Sequence, residues 1–457
     1  MPQREPVLVG NGQGFWGDSI LGPVRLVREG PLHYLTLDYL AEITMSIMQK
    51  QRAANPDAGY ATDFVRMVER VLPECAEKGI KIIANAGGVN SPACAEAVAQ
   101  VVRKLGLTGI RIGVVEGDDI MARLDDFIAA GDTFDNLETG EPISDHLDTV
   151  QSANVYLGAK PIADALAAGA DIVITGRCTD PSLVVAPLVY EFGWSMTDYD
   201  KLAAATVAGH ILECGTQSTG GNFDGWRDIP DLAHIGYPIA EAYADGTVVI
   251  TKHDGTGGRV SKDTVTAQLL YELGDPERYL TPDVVARFDT IELSDDGPDR
   301  VKVTGVKGSE ATPTYKVSMS MTDGYKLVGD LTVAGPDAVD KAKATADLLW
   351  ARLEMDGVSF KPEQRLVELV GTNVCFDGMV PARDDAMEVL MRVGVREDDR
   401  RKADRVGMEL ASLITSGPPG LTGFAGGRPR ASEVMAYWPT LIDKARVEAT
   451  VTVEEVV

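Results

Sequence analysis

The sequence predicts an α/β protein, with an N-terminal parallel, doubly wound-like sheet domain followed by an α+β domain. Through the first 180 residues, strand-length apolar runs alternate with helix-length amphipathic or alanine-rich stretches. Strands that are apolar throughout belong to parallel sheets covered on both faces. Around Trp226 to Gly236 the alternation stops, and turn pairs such as Asp245-Gly246 and Asp323-Gly324 join runs that read as antiparallel strands. The length of 457 residues also exceeds what one ordinary core holds.

Strands are expected over 6–10, 34–37, 80–84, 110–115 and 171–175, with helices over 38–52, 62–78, 92–105 and 159–168 between them. An incomplete barrel is the second choice for this half. A boundary near residue 235 divides the chain into 1–235 and 236–457. Beyond it, strands are expected over 246–251, 289–293, 300–306, 315–321 and 326–334, and helices over 263–273 and 336–355. The stretch 416–430, SGPPGLTGFAGGRPR, is too rich in Gly and Pro for an element. It reads as a lid, a connector or a phosphate-binding loop using Arg428 and Arg430.

Sixty-nine acidic against 43 basic residues give a formal charge of −26. That field opposes nucleic acid and anionic membranes, and no basic stripe offsets it. No run approaches the roughly 18 apolar residues of a membrane-spanning helix. The start, MPQREPVLVG, lacks the apolar core of a signal peptide, so a cytoplasmic protein is expected. Five scattered cysteines without CxxC spacing suggest reduced thiols. Five histidines without HxH or HExxH spacing give no zinc set, and no metal is expected.

In a parallel sheet the loops after the strands emerge on one edge, where ligands bind. Here those loops carry Asp18, Asp38, Asn85, Asn90, Glu116, Arg177 and Asp180. Arg177 could hold a carboxylate bidentately, or simply pair with Asp180 within its loop. Gly12 to Gly17 has the GxGxxG spacing, with Asp38 placed like a ribose-binding acid. Bulky Phe15 and Trp16 and the interrupting Gly22-Pro23 argue against a dinucleotide, and no cofactor is expected. Lys252 opens a second glycine-rich loop, KHDGTGG, which could cradle a phosphate or carboxylate or merely turn.

The densest chemistry lies in AGHILECGTQSTGGN, residues 208–222. His210 and Glu213, three apart, are neighbours on a helix face, as a proton-transferring pair requires. Cys214 offers a nucleophile if its pKa is lowered. Gln217 and Thr219 supply neutral hydrogen bonds, and Gly220 and Gly221 permit close ligand approach or a sharp turn. A helix ending in a glycine cap around a buried cysteine reads equally well.

The pieces GFWGDS, DYLAE, NAGGVN, GRCTDPSL, GHILECGTQSTGGNF, GYPIAE and DGTGG, in this order along most of the chain, resemble the acyclic terpene utilisation family typified by AtuA. The resemblance implies catabolism beside acyl-CoA-processing enzymes. Relatives commonly carry a further ferredoxin-like domain, which a separate small subunit could replace here. The expectation is a cytoplasmic enzyme, a homo-oligomer, acting on an acyl thioester or related acid by acid–base chemistry. Hydratase/dehydratase and carbon–carbon lyase are the leading types. Acyl transfer through Cys214 and a non-catalytic ligand-binding subunit are the alternatives.

Overall fold

A computed structural model describes residues 5–376, 378–423 and 426–457. The chain forms two compact units, one of residues up to Ser320 with Tyr437–Val457, the other Met321–Ala436.

In the first unit, strands β1 (Val7–Asn11), β2 (Tyr34–Leu37), β3 (Lys81–Ala84), β4 (Arg111–Glu116), β5 (Val150–Val155), β6 (Ile172–Thr175), β7 (Pro238–Ala242) and β8 (Val248–Lys252) come first in the chain. Five of them lie in the spatial order β1-β2-β3-β6-β4, all parallel, so their C-terminal ends share one edge as the apolar runs foretold. β7 and β8 extend this sheet antiparallel beyond β1, followed by strands Val301–Thr304 and Glu292–Asp295. Thr450–Glu455 closes the other side, antiparallel to β4.

The expected boundary near residue 235 is therefore displaced. β7 pairs along most of β1, so the chain beyond 235 completes the first sheet. A hairpin-like antiparallel pattern in the sequence does not reveal which sheet it joins.

The helices of this half are α1 (Leu21–Glu29), α2 (Glu42–Ala54), α3 (Thr62–Lys78), α4 (Ser91–Leu105), α5 (Leu124–Ala129), α6 (Lys160–Ala167), α7 (Ser182–Phe192) and α8 (Tyr199–Glu213). Leu35, Leu37, Ile82, Ala84, Ile172 and Ile174 turn to one face and share a core with α1, α3 and α4. The alternate residues Tyr34, Ile83 and Val173 are equally buried on the opposite face. Strand side chains alternate in this way, so both faces of the sheet are covered. α7 packs against α6 and α8 in a second layer. Every residue of α8 from Leu202 to Leu212 is buried, as its almost unbroken apolar sequence dictates.

β5 was not anticipated. It pairs with the long strand Thr314–Ala334 instead of joining the parallel sheet. That strand corrects a second expectation, since Asp323-Gly324 does not reverse the chain. Gly324 takes φ +69° inside a continuous strand, as glycine does at bulges.

In the second unit, that strand lies beside Glu388–Glu397, which pairs in turn with Arg365–Val370, all antiparallel. Ser432–Asp443 also pairs with Thr314–Ala334. Helices Ala338–Met355 and Arg400–Ser416 bury Leu349, Leu353, Leu410 and Leu413 against Leu327, Leu331, Met391 and Val393. Strand, helix, two strands, helix and strand, with the last beside the first, is the split β-α-β arrangement. Of the expected 416–430 loop, Leu421–Thr422 is a short strand, and Phe424 and Ala425 lie outside the described residues. No helix among the described residues is long and apolar enough to cross a membrane.

Candidate active site

The site is built where α8 ends against the carboxyl edge of the sheet. A helix leaves its last carbonyls without partners, and here the buried Asn11 amide, at the end of β1, donates to Leu212 O (2.7 Å) and Glu213 O (3.2 Å). The β1 loop then passes so close to α8 that a Cβ on Gly14 would lie 2.9 Å from the Cys214 carbonyl carbon. On Gly12 it would lie 2.8 Å from Pro23 Cβ. The first two glycines of the GxGxxG spacing thus make room for the chain itself, and the space a pyrophosphate would need is filled.

Asp18 shapes this loop. Its carboxylate accepts from Gly14 N at 3.1 Å, Ser19 N at 2.6 Å and the Tyr237 hydroxyl at 3.1 Å. Behind it, Asp38 is buried at the end of β2 and accepts from Asn85 Nδ2 at 2.6 Å and Leu40 N at 3.1 Å. The Asn85 oxygen accepts from Tyr39 N, which fixes the amide's orientation. Burial raises Asp38 to about 6 against the pull of Arg177, and the charge of Glu213 adds to the rise.

Arg177 is the hub. Only 2% exposed, its guanidinium donates to Leu40 O and to Asp180 (3.0 Å) and stacks 4.2 Å over the Tyr156 ring. The contact with Asp180 within its own loop is formed, and both contacts fall on Nη1, which leaves Nε, one of the donors on the edge that can grip a carboxylate bidentately, without a partner. Asp180 is raised well above the ordinary carboxylate range by burial, with Asp38 and Glu213 adding to the rise. Asp38, Asp180 and Glu42 therefore gather around one arginine, and Asp38 and Asp180 also feel the charge of Glu213. In a poorly solvated site such an excess of carboxylates cannot all ionise.

His210 Nδ1 lies 3.1 Å from Glu213 Oε1, as the i,i+3 spacing foretold, and Tyr279 Oη is 3.4 Å from the same nitrogen. Burial alone would lower the imidazole. The hydrogen bond and charge of Glu213 outweigh it, and the net direction is up. Tyr279 and Phe288 meet the ring edge-on. Glu213 and Asp180 keep 13% and 29% of their side chains exposed, and His210 is fully covered. Glu213 Oε2, His210 Nε2 and Arg177 Nε are buried without hydrogen-bond partners. Buried polar atoms are almost always paired, so three orphans around one cluster mark a place where a ligand or water belongs.

Other expected residues have different tasks. Burial, with the charge of Glu213 adding, pushes the Cys214 thiol up to about 12, which works against a thiolate nucleophile. Thr219 Oγ1 donates within the backbone, at 2.7 Å from Gly236 O, and Gln217 accepts from Asn222 at 3.1 Å. Gly220 has φ +106° and fits beneath Ile229, while Gly221 fits against Thr216, so this pair serves the turn. Asn90 donates to Pro56 O and Ala58 O, both at 2.8 Å, tying down a loop. Lys252 is not available to an anion, because Asp299 neutralises it at 3.1 Å and Thr256 O holds it at 3.0 Å.

Sequence reasoning missed Tyr156 and Tyr279, and it placed the loop of Asp118 on the ligand edge without giving that acid a role. Asp118 accepts from Arg177 N at 2.8 Å and Asn154 Nδ2 at 2.9 Å, and burial raises it to about 7. A cavity of about 170 Å³ opens beside it on the same edge, lined by Arg52, Asn90, Glu116 and Asp119 among others. Among the described residues, no three His, Cys, Asp or Glu side chains converge to hold a metal ion.

The family model of the acyclic terpene utilisation protein AtuA matches residues 7–453, nearly the whole chain. The chain belongs to the AtuA family. Membership points to a catabolic role in acyclic terpene utilisation. No curated protein and no solved structure matches it. The match runs through both units, so the second unit of this AtuA-family protein is part of the family pattern.

Proposed function

We propose that this AtuA-family protein is a catabolic enzyme that moves protons on an acyl thioester or related carboxylic acid, as a hydratase/dehydratase or carbon–carbon lyase. The gathering of Asp38 and Asp180 around Arg177 within reach of the charge of Glu213, with Glu213 Oε2 and His210 Nε2 left unpartnered, carries this reading. The acid-rich setting repels a free carboxylate but admits a neutral thioester carbonyl. In a dehydration, the Glu213 carboxylate takes the proton from the carbon next to the carbonyl, with His210 orienting it. A neutral carboxyl, Asp38 or Asp180, gives its proton to the departing hydroxyl. The carbon–carbon double bond forms as water leaves, and no external oxidant or reductant is needed. Hydration is the reverse.

The test is direct. Purified protein in deuterated water, given 3-hydroxyacyl and enoyl thioesters, is expected to incorporate deuterium next to the carbonyl and to interconvert the two. Absence of both exchange and turnover across the series would sink the hydro-lyase reading and favour the non-catalytic subunit. Cys214→Ser is expected to keep the rate within a few-fold, because a thiol held near 12 is not the nucleophile. A loss of several hundred-fold in that variant alone would restore acyl transfer through Cys214.

A further inference from the structure

We propose that the second unit carries an anion site, formed by Arg428 and Arg430, that takes the phosphate groups of a nucleotide-bearing ligand. A groove of about 870 Å³ runs between the sheet positions Val328, Thr332 and Leu390 and the end of the glycine-rich loop. Its cations are positioned by an anchor. Pro429 packs where two glycines leave space, since a Cβ on Gly329 would lie 2.7 Å from Pro429 Cγ and one on Gly407 2.3 Å from Pro429 O. Two residues on, Ala431 N donates to Asp404 at 2.7 Å. Arg428 and Arg430 flank the anchored proline, and both line the groove.

Their lack of carboxylate partners is informative in a chain of net charge −26. Arg352, Arg365, Arg383, Arg392, Arg396 and Arg405 of this unit each have one, while among the described residues Arg400 and Arg401 share the lack. Arg428 and Arg430 have none among the described residues. The acid in the groove, Asp330, is already held by Arg392 at 3.2 Å. Gly427 adopts φ +81°, and a Cβ on Gly426 would meet nothing within 4 Å, so their backbone amides can approach an anion closely. Two arginines with adjacent glycine amides make a phosphate-binding arrangement. The acid-rich cluster of the first unit has no such provision. That the nucleotide-bearing ligand is coenzyme A rests on the proposed function.

The experiment measures binding without turnover, by calorimetry on the full chain. Coenzyme A, inorganic phosphate and the phosphate-free pantetheine are the probes. Coenzyme A is expected to bind with an affinity that falls steeply with salt, and to lose about 10–100-fold in the R428Q/R430Q double variant. Pantetheine is expected to be indifferent to that change. Binding of inorganic phosphate that the double variant abolishes supports the site and shows that a simple phosphate suffices. Wild-type binding of every probe by the double variant, or no binding of any phosphate compound by the wild type, overturns the proposal. Both arginines are exposed, so the variant should melt with the wild type. Failure of the turnover test with coenzyme A binding intact would reject the proposed reaction and leave this site standing.

Discussion

Glu213→Gln is expected to lower turnover about 10²–10⁴-fold, the range for losing a positioned acid–base group. The change keeps volume and one oxygen for His210 but removes the charge that accepts a proton. It also removes the acid that contributes to raising Asp38 and Asp180, so both should titrate lower. The rate loss should fall mainly on kcat, with KM little moved, because the orphaned Oε2 meets the substrate only as the proton moves. Glu272→Gln is the control. It removes a nearby but exposed acid and should leave the rate within a few-fold. Equal losses in both variants would mean that local charge, and not Glu213 itself, matters. Near-normal rates in Glu213→Gln would make the cluster structural.

The parallel half was legible because its signal is local. Val7–Asn11, Tyr34–Leu37, Lys81–Ala84, Arg111–Glu116 and Ile172–Thr175 are apolar runs bounded by polar turns, and nothing in the fold overrides them. What failed is what pairing alone decides. Pro238–Ala242 looks like a new domain in sequence, yet its backbone completes the first sheet beside β1. The His210–Glu213 pair was readable from helical spacing, and its docking on the sheet edge was guessable from the glycines. The Arg177 surroundings were legible in part. The strand-end rule put Asp38, Asp180 and Arg177 on one edge, whereas Tyr156 follows β5, a strand the alternation did not reveal. Tyr279 comes from more than sixty residues beyond α8, with no local pattern to mark it.

Arg177→Met should destabilise the protein by about 3–5 kcal/mol at pH 8, because it leaves buried carboxylates without their cation. At pH 5 the cost should shrink to about 1–2 kcal/mol, the lost hydrogen bonds and stacking on Tyr156. The direction follows from proton linkage. Asp38 and Asp180 are raised in the folded state, so their contribution to stability is fully present below the unfolded carboxylate range. It is lost as pH rises through the folded values, about 6 for Asp38. Arg177 opposes that rise, and removing it moves both groups further up. It also removes the largest of the pulls that hold Glu42 below its ordinary value against burial, the Tyr156 hydrogen bond and the Lys316 charge being the others from neighbouring side chains. At pH 5 these groups can take up protons and become neutral, whereas at pH 8 the variant must either bind protons against the solution or bury charge. The raised His210 shifts stability in the same sense in both proteins, so it cancels in the difference. Urea unfolding of both proteins at pH 5 and pH 8 reads the effect. A difference in stability that stays constant between the two pH values would show that Arg177 acts through packing, and that the acids around it are not electrostatically coupled to it.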